Sequence, residues 1–199
     1  MSEFKLFDKW DVSSVTVTDP GLKRYIDLTP LSVLNSFGRN STNRFGKGKT
    51  NVVERLMNKL MVHGHKGKKH YRTSGYSTGK KSKAYKAVFE CLNILEKHFN
   101  QNPVQIFVKA LENAAPREEI TNIEYGGARY AQAVDCAPQR RVDVALKQFV
   151  AGAFSKSFGK KKSISQTLAD EITNAYQISQ DSQAISKKLE LERQADSSR

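Results

Sequence analysis

Apolar residues recur every three or four positions in five segments of the chain, and this spacing places them on one face of an α-helix. The first three segments span about 51–63, 83–99 and 103–115, and the other two begin at Pro138 and Ser163. We predict a helix in each segment, with the apolar faces forming one core. The residues expected to be buried together are Leu56, Leu60, Leu92, Phe107, Leu111, Leu146 and Phe149.

Three of these helices begin with the three-residue spacing of a capping box, in which two side chains satisfy backbone N–H groups of the first turn. The pairs are Asn51 with Glu54, Asn102 with Gln105 and Ser163 with Gln166. Prolines at positions 103 and 138 suit a first helical turn, where a missing N–H costs little. Pro116 is expected to end the third helix, because proline does not continue one.

The hydrophobic period changes between residues 118 and 134, where β-friendly residues surround a central Gly126-Gly127 pair. Two glycines permit the positive φ angles of a two-residue hairpin turn. We therefore predict a β-hairpin near 118–134. Its apolar residues do not alternate strictly, as Ile120 and Ile123 show, and its tip offers almost nothing to bury. We expect the tip to stand in solvent.

The N-terminal part of the chain shows no sustained helical period. Residues 14–17 favour a short strand, and scattered apolar residues around Trp10 and Pro30 indicate an arm with small hydrophobic anchors. Residues 38–49 are rich in glycine, asparagine and cations, which predicts a flexible loop that approaches phosphate groups closely. At the other end, residues 187–193 are helix-prone but alternate in charge, which favours an exposed tail.

The predicted fold is mainly α, with a single helical-bundle domain, a protruding two-stranded β-hairpin and an extended basic N-terminal arm. A chain of 199 residues suits one domain with extensions. We divide it into an arm at 1–49, a helical domain at 50–178 that includes the hairpin, and a helix-prone tail at 179–199. No apolar run is long enough for a membrane helix and the N-terminus lacks a secretory pattern, so we expect neither a membrane nor export.

The net charge of +13 is confined to one part of the chain. Residues 39–86 contain fourteen Lys and Arg and one Glu, whereas the segments before and after are nearly neutral. Such a concentration exceeds what solubility requires and indicates a polyanion as partner. The alternative is a solvated basic face, but a single Glu among fourteen cations argues against it.

Residues that suggest catalysis or metal binding have simpler explanations. Gly48-Lys49-Thr50 resembles the end of a P-loop, but Asn43 stands where the first glycine is required. Three histidines flank a cationic stretch that would repel a metal ion. They are His63, His65 and His70. Cys91 and Cys136 lack CxxC spacing and are expected to be buried thiols. We predict no cofactor, no metal and no enzymatic activity.

The region 64–81 combines cations with aromatic residues over a stretch that is long for a loop of a compact domain. Its cations are Lys66, Lys68, Lys69, Arg72, Lys80 and Lys81, and Tyr71 and Tyr76 lie between them. Cations neutralise phosphates, while tyrosines stack on unpaired bases or pack on sugars, and this combination suits irregular RNA. Packing of each tyrosine onto its own domain is an equally good interpretation.

Six short stretches occur in a fixed order along the chain. They are Arg55–Met61, Ala87–Phe89, Pro103–Pro116, Gly126–Tyr130, Pro138–Arg141 and Leu168–Glu171, of which the most specific parts are Glu112–Arg117, the Gly-Gly-Ala-Arg-Tyr turn and the Pro-Gln-Arg-Arg helix start. Together they resemble the universal small-subunit ribosomal protein S-seven family, over about residues 50–178. The longer arm before Asn51 and the longer loop at 64–81 are similar to its archaeal and eukaryotic branch.

The resemblance implies a helical domain with a β-ribbon that binds the 3′ major domain of small-subunit rRNA and helps nucleate assembly of the subunit head. It also implies a cytoplasmic, ribosomal location beside neighbouring small-subunit ribosomal proteins, the exit-site tRNA and the mRNA exit. No homo-oligomer is required. Glu118, Glu119 and Glu124 stand where bacterial relatives tend to have arginines. This departure argues against direct phosphate binding by the first ribbon strand.

We expect non-catalytic RNA binding through phosphate and groove contacts, with specificity coming from RNA shape. The predicted RNA-binding residues are Arg39, Arg44, Lys47 and Lys49 in the arm, Lys66, Lys68, Lys69, Arg72, Lys80, Lys81 and Lys83 in the loop, and Arg117, Arg129, Tyr130, Arg140 and Arg141 around the hairpin. The main alternative is an architectural DNA-binding protein, but its β-ribbon is expected to be basic on both strands. An enzyme acting on RNA is a weaker alternative.

Overall fold

A computed structural model describes residues 5–63 and 77–199. The helices are α1 (Pro20–Lys23), α2 (Val52–Leu60), α3 (Lys81–Phe99), α4 (Pro103–Ala114), α5 (Pro138–Ser157), α6 (Ile164–Tyr176) and α7 (Gln183–Asp196), and the strands are β1 (Glu118–Tyr125) and β2 (Ala128–Asp135). Two short 3₁₀ helices, Arg39–Ser41 and Gly46–Lys49, precede α2. The predicted mainly α fold with one β-hairpin is confirmed. Within the described ranges, no helix is both long and apolar enough to cross a membrane.

Helix α6 is the central helix of the domain and packs against α3, α4, α5 and α7. Leu168 and Ile172 on its apolar face are completely buried. The seven core residues predicted from periodicity all lie in one hydrophobic cluster and are all buried. Periodicity predicts these buried faces because each apolar stripe depends only on the spacing of residues within one helix.

Side-chain caps begin the helices much as predicted. The capping box of Ser163 and Gln166 at the start of α6 is confirmed, with both reciprocal hydrogen bonds present. Asn51 and Asn102 cap α2 and α4, and each accepts a hydrogen bond from the backbone N–H two residues later. The side chains expected to complete the capping boxes of α2 and α4 form hydrogen bonds elsewhere. The asparagine caps are therefore predicted correctly, but the reciprocal half of each box is wrong.

Those two partners, Glu54 and Gln105, hold the N-terminal segment instead. Glu54 accepts hydrogen bonds from the N–H and the hydroxyl of Ser36 at 2.8 and 3.0 Å. Gln105 accepts from the N–H of Thr16 at 2.8 Å and donates to its carbonyl oxygen at 3.1 Å. The strand predicted at 14–17 is therefore wrong, because a side-chain amide rather than a neighbouring strand satisfies this backbone.

Apolar residues of the N-terminal segment are buried in the same core as the helices. Leu22 and Leu34 join the main hydrophobic cluster. The rings of Phe7 and Trp10 each lie 5.5 Å from the ring of Phe89 in α3, measured between centroids. The predicted hydrophobic anchors are confirmed, and they include large aromatic side chains whose burial is a substantial source of stability.

The hairpin has the turn that the sequence predicts. Gly126 and Gly127 have φ angles of 58° and 81°, and the two strands pair antiparallel on either side of them. Residues 121–132 are exposed on both strands. The base of the ribbon is partly buried, because α7 packs against β1. The expected solvent-exposed tip is confirmed.

The C-terminal residues form α7, as their helix-prone sequence predicts. Ala184, Ile185 and Ala195 are buried, and the helix contacts both β1 and α5. Leu189, Glu190 and Arg193, on the outer side of the helix, are exposed. The exposure expected for residues 187–193 therefore applies to one side of a helix that is otherwise part of the domain.

Candidate nucleic-acid interface

The predicted RNA-binding residues lie in three described groups and one undescribed stretch. The groups are residues 37–49, the start of α3 and the surroundings of the hairpin. The residues outside the described ranges are Lys66, Lys68, Lys69 and Arg72, together with His65, His70, Tyr71 and Tyr76.

Residues 37–49, which we call the basic segment, fold into two 3₁₀ helices that lie against each other. The side-chain amide of Asn40 donates to the carbonyl oxygen of Lys49 at 3.3 Å and to the hydroxyl of Thr50 at 3.2 Å. A Cβ on Gly46 would lie 2.1 Å from the carbonyl oxygen of Asn40, so only glycine fits this approach. Where the sequence predicts a flexible loop, the structure has a compact, internally hydrogen-bonded turn.

The basic segment exposes most of its cations and contains no acidic residue. Arg39, Arg44 and Lys49 are exposed. The guanidinium carbon of Arg44 lies 5.1 Å from the ring centroid of Phe45, which is cation–π distance. With no neighbouring carboxylate in the segment to neutralise them, these three cations are well placed to bind an anion.

Lys47 is the cation that ties the basic segment to the helical domain. Its ammonium group pairs with Asp143 in α5, which also accepts a hydrogen bond from Arg55 at 3.1 Å. Burial alone would raise the pKa of Asp143, but the hydrogen bonds from Lys47 and Arg55 outweigh burial and lower this pKa. Lys47 therefore fixes the position of the segment as well as adding charge.

At the start of α3, Lys81 points into the domain. Its ammonium group donates to Glu54 at 2.7 Å and to Asn35 at 2.9 Å, and its side chain is 27% exposed. Burial of Glu54 would raise its pKa, but the hydrogen bonds from Lys81 and Ser36 lower it. Phosphate contact by Lys81 stays a prediction, whereas its internal ion pair is observed. Lys80 and Lys83 are exposed nearby, and Lys83 lies in the same helix.

Around the hairpin, each acidic residue of β1 forms an ion pair with an arginine. The pairs are Glu118 with Arg199 at 2.6 Å, Glu119 with Arg140 at 2.6 Å and Glu124 with Arg129 at 3.7 Å. The charge of Arg129 and Arg140, both predicted to bind RNA, is therefore balanced by a carboxylate. This balance disfavours the DNA-binding alternative, which requires a ribbon that is basic on both strands.

Arg141 joins the hairpin base to the N-terminal segment. Its guanidinium donates to the carbonyl oxygen of Pro116 at 3.0 Å and to Asp19 at 2.8 Å. Burial of Asp19 would raise its pKa, but the hydrogen bonds from Arg141 and from the N–H of Gly21, together with the nearby arginine charges, outweigh burial and lower this pKa. Phosphate contact by Arg141 stays a prediction, and Arg117, just before β1, is exposed.

The sequence did not indicate several residues that shape this surface. Lys188 in α7 donates to the carbonyl oxygen of Asn113 at 2.8 Å, and burial lowers its pKa. Phe37 and Phe45 in the basic segment have exposed rings. Each of these phenylalanines precedes a glycine in the sequence, which is a signal of a turn but not of an exposed ring. Tyr130, which was predicted, is exposed on the ribbon opposite Ile123.

These features define a class of protein: a small, basic, mainly helical chain with exposed cations on a folded turn and a projecting β-ribbon. The chain belongs to the family described as Ribosomal protein S7p/S5e, whose model matches residues 32–199. The resemblance noted from the six short stretches is therefore confirmed.

Three archaeal relatives carry the name small ribosomal subunit protein uS7. The relative from Nanoarchaeum equitans is 55% identical over 197 residues, which cover 99% of this chain and 100% of the relative. The relative from Methanosphaera stadtmanae is 50% identical over 96% of this chain and 97% of its own length. The relative from Methanococcus maripaludis is 46% identical over 99% of this chain and 100% of its own length.

Proposed function

We propose that this protein is a non-catalytic structural constituent of the small ribosomal subunit and binds the 3′ major domain of small-subunit rRNA. The name of its relatives supports the subunit, and the charge of the basic segment supports RNA binding. In the same proposal it helps nucleate assembly of the subunit head. There it lies near the exit-site tRNA and the mRNA exit, among neighbouring small-subunit ribosomal proteins.

The observation that carries RNA binding is the exposure of Arg39, Arg44 and Lys49 on a folded turn that contains no carboxylate. Binding of phosphates to such cations releases the counterions of the RNA, which makes association favourable and dependent on salt. A turn that is already folded also loses little conformational freedom when it binds. Contacts of this kind position RNA by its backbone and shape.

The cations of the proposed interface have two roles. The main phosphate contacts come from the exposed Arg39, Arg44, Lys49 and Arg117, and the exposed Lys80 and Lys83 belong to the same interface. The cations that pair with carboxylates mainly hold the interface in position, and contact with RNA is their secondary role. They are Lys47, Lys81, Arg129, Arg140 and Arg141. Lys66, Lys68, Lys69 and Arg72 complete the proposed set.

The test is the salt dependence of binding to a 3′ major domain rRNA fragment. A triple variant of the basic segment, R39Q/R44Q/K49Q, should flatten the log–log slope by about 2 to 3, because each lost phosphate contact removes about 0.7 to 0.9. A matched variant, K147Q/K160Q/K161Q, removes the same charge from exposed positions on α5 and the loop after it. Its slope should change less.

Equal slopes for the two triple variants would remove the basic segment from the interface. A wild-type protein that neither binds the rRNA fragment nor sediments with small subunits would overturn the proposal as a whole.

A further inference from the structure

Two phenylalanines of the basic segment hold their rings in solvent. Phe37 is 75% exposed and Phe45 is 67% exposed. Both have a left-handed backbone, with φ of 51° and 61°. Bulky side chains rarely adopt this conformation, and such positions cluster at functional sites. The rings therefore gain little from burial, while their backbone conformation is unfavourable.

Hydrogen bonds fix the backbone at each of these phenylalanines. The N–H of Phe37 donates to the side chain of Asn35 at 3.0 Å, and the preceding Ser36 is held by the buried carboxylate of Glu54. The carbonyl oxygen of Phe45 accepts a hydrogen bond from the N–H of Gly48 at 3.0 Å, within the compact turn. Both rings are thus presented outward by a preformed scaffold, which lowers the entropic cost of binding a partner.

The surroundings of the rings indicate the chemistry of that partner. The thirteen residues 37–49 include four cations, no acid and these two rings. A partner that complements this surface carries negative charge and flat apolar faces together. Nucleic acid with unpaired bases has both, since its phosphates meet the cations and every base offers a face for stacking.

A similar position elsewhere in the chain lacks this setting. Ile178 has φ of 58° and is 64% exposed. Residues 176–180 around it carry no charge. Exposure in a left-handed conformation therefore does not by itself indicate RNA, and Ile178 provides a matched control for the phenylalanines.

We propose that Phe37 and Phe45 stack on unpaired bases of the RNA whose phosphates bind Arg39, Arg44 and Lys49. This inference rests on the proposed RNA-binding function and adds a preference to it. The basic segment recognises RNA where bases are unstacked, in loops, bulges or single strands, because a base inside a duplex has no free face. Stacking of this kind tolerates any base identity.

The test compares two RNA probes of equal length, a hairpin with a large unpaired loop and a fully paired duplex. For the loop probe, F37A/F45A should weaken binding by roughly 5- to 150-fold per stacked ring, the range that corresponds to loss of one base–aromatic stack. For the duplex, affinity should change by less than about twofold, and the salt slope should be unchanged because no charge is removed.

Two further variants separate stacking from general effects. F37W/F45W retains flat rings and should bind the loop probe at least as well as wild type, whereas F37L/F45L retains apolar side chains without rings and should bind as poorly as the alanine variant. I178A should bind both probes like wild type. Far-UV circular dichroism and thermal unfolding would verify that every variant is folded.

Each other outcome contradicts the inference in an identifiable way. Equal losses on loop and duplex, or leucine variants that bind normally, would show that the rings do not stack on bases. Normal RNA affinity combined with loss of the variant from sedimented small subunits would assign the rings to a protein neighbour. In all these cases the proposed RNA-binding function survives, and it fails only if wild type binds neither probe nor rRNA.

Discussion

The basic segment and the β-hairpin both carry cations into solvent, but the surroundings of those cations differ. In the basic segment, Arg39, Arg44 and Lys49 are exposed and the segment has no acid. In the hairpin region, Arg129 and Arg140 each pair with a glutamate of β1. A count of cations along the sequence therefore overestimates an interface where a fold brings carboxylates alongside them.

The two regions also differ in how they are attached to the core. The basic segment follows a turn whose backbone is held by Glu54, a carboxylate that is 1% exposed. The hairpin extends away from the domain beyond residue 120, and a Cβ at Gly126 or Gly127 would meet no atom of the described residues within 4 Å. We expect substitutions at Glu54, which attaches the basic segment, to affect stability. Substitutions along the exposed hairpin should affect function alone.

The largest expected effect is that of breaking the attachment of the basic segment. Glu54→Gln removes the charge that pairs with Lys81 and should lower the free energy of unfolding by about 2 to 3 kcal/mol, somewhat below the range for fully buried pairs because Lys81 is partly exposed. The matched change in the hairpin, Glu124→Gln, breaks an exposed pair and should cost less than about 1 kcal/mol. Chemical denaturation of both variants would measure the difference, and equal costs would contradict it.

The same attachment should depend on pH. The pKa of Glu54 is lowered from its ordinary value of 4.5 in the folded protein. A lowered folded-state pKa gives stability that is present above the unfolded pKa and is lost as pH falls through the folded value. Wild type should therefore lose stability below about pH 4.5 more steeply than Glu54→Gln. Thermal unfolding between neutral and acidic pH would test this, and parallel profiles would contradict it.

The hairpin should be dispensable for folding. Replacement of residues 121–132 by a short Gly-Ser link removes a part of the ribbon that is exposed on both strands. Helix content should be nearly normal, and the free energy of unfolding should change by about 0.5 kcal/mol or less, as for surface changes. Entry into small subunits should be retained, while translation by the finished subunit should be impaired.

Loss of folding, or failure of the shortened protein to enter small subunits, would show that the hairpin is structural. Circular dichroism, denaturation and sedimentation together separate these outcomes. They would also show whether the contrast between an anchored basic segment and an unanchored ribbon is correct.

Local patterns in the sequence predicted the helices, the hairpin turn and the core, because each depends on spacing within one element. The roles of Glu54 and Gln105 could not be predicted in this way. Their three-residue spacing from a cap is a local signal, whereas their partners Ser36 and Thr16 are 18 and 89 residues away. A hydrogen bond between a side chain and a distant, irregular stretch of backbone produces no periodic signal in the sequence.

Charge along the sequence indicates which cations are candidates for the interface, but not which of them the fold pairs with carboxylates. Charge identifies the arginines and lysines, but no local pattern predicts that Arg140 lies 2.6 Å from Glu119 across the hairpin base. Phe45 belongs to a stretch whose glycines and cations predict a loop. Its ring is exposed, whereas Phe7, with a similar left-handed backbone, is buried, so neither the sequence nor the backbone angle alone specifies exposure.

The smallest expected effect comes from releasing the arginines of the hairpin. In E119Q/E124Q, Arg140 and Arg129 lose the carboxylates that balance them. If the two arginines can then reach phosphate, affinity for rRNA should rise and the log–log salt slope should steepen by up to about 0.7 to 0.9 per arginine. The loss of stability should be modest, because the Glu124–Arg129 pair is exposed and Arg140 is 59% exposed, although Glu119 is only 19% exposed.

The control for this gain removes two negative charges elsewhere. D170N/E190Q breaks the pairs with Lys162 and Lys187, whose carboxylates lie in α6 and α7 rather than in the hairpin. Removal of any acid strengthens binding to a polyanion at long range, so the control measures that general contribution, which is screened at moderate salt. A slope for E119Q/E124Q that exceeds the control would show that the carboxylates of β1 mask two potential phosphate ligands. A slope equal to the control would remove Arg129 and Arg140 from the interface and leave the basic segment as its principal described part.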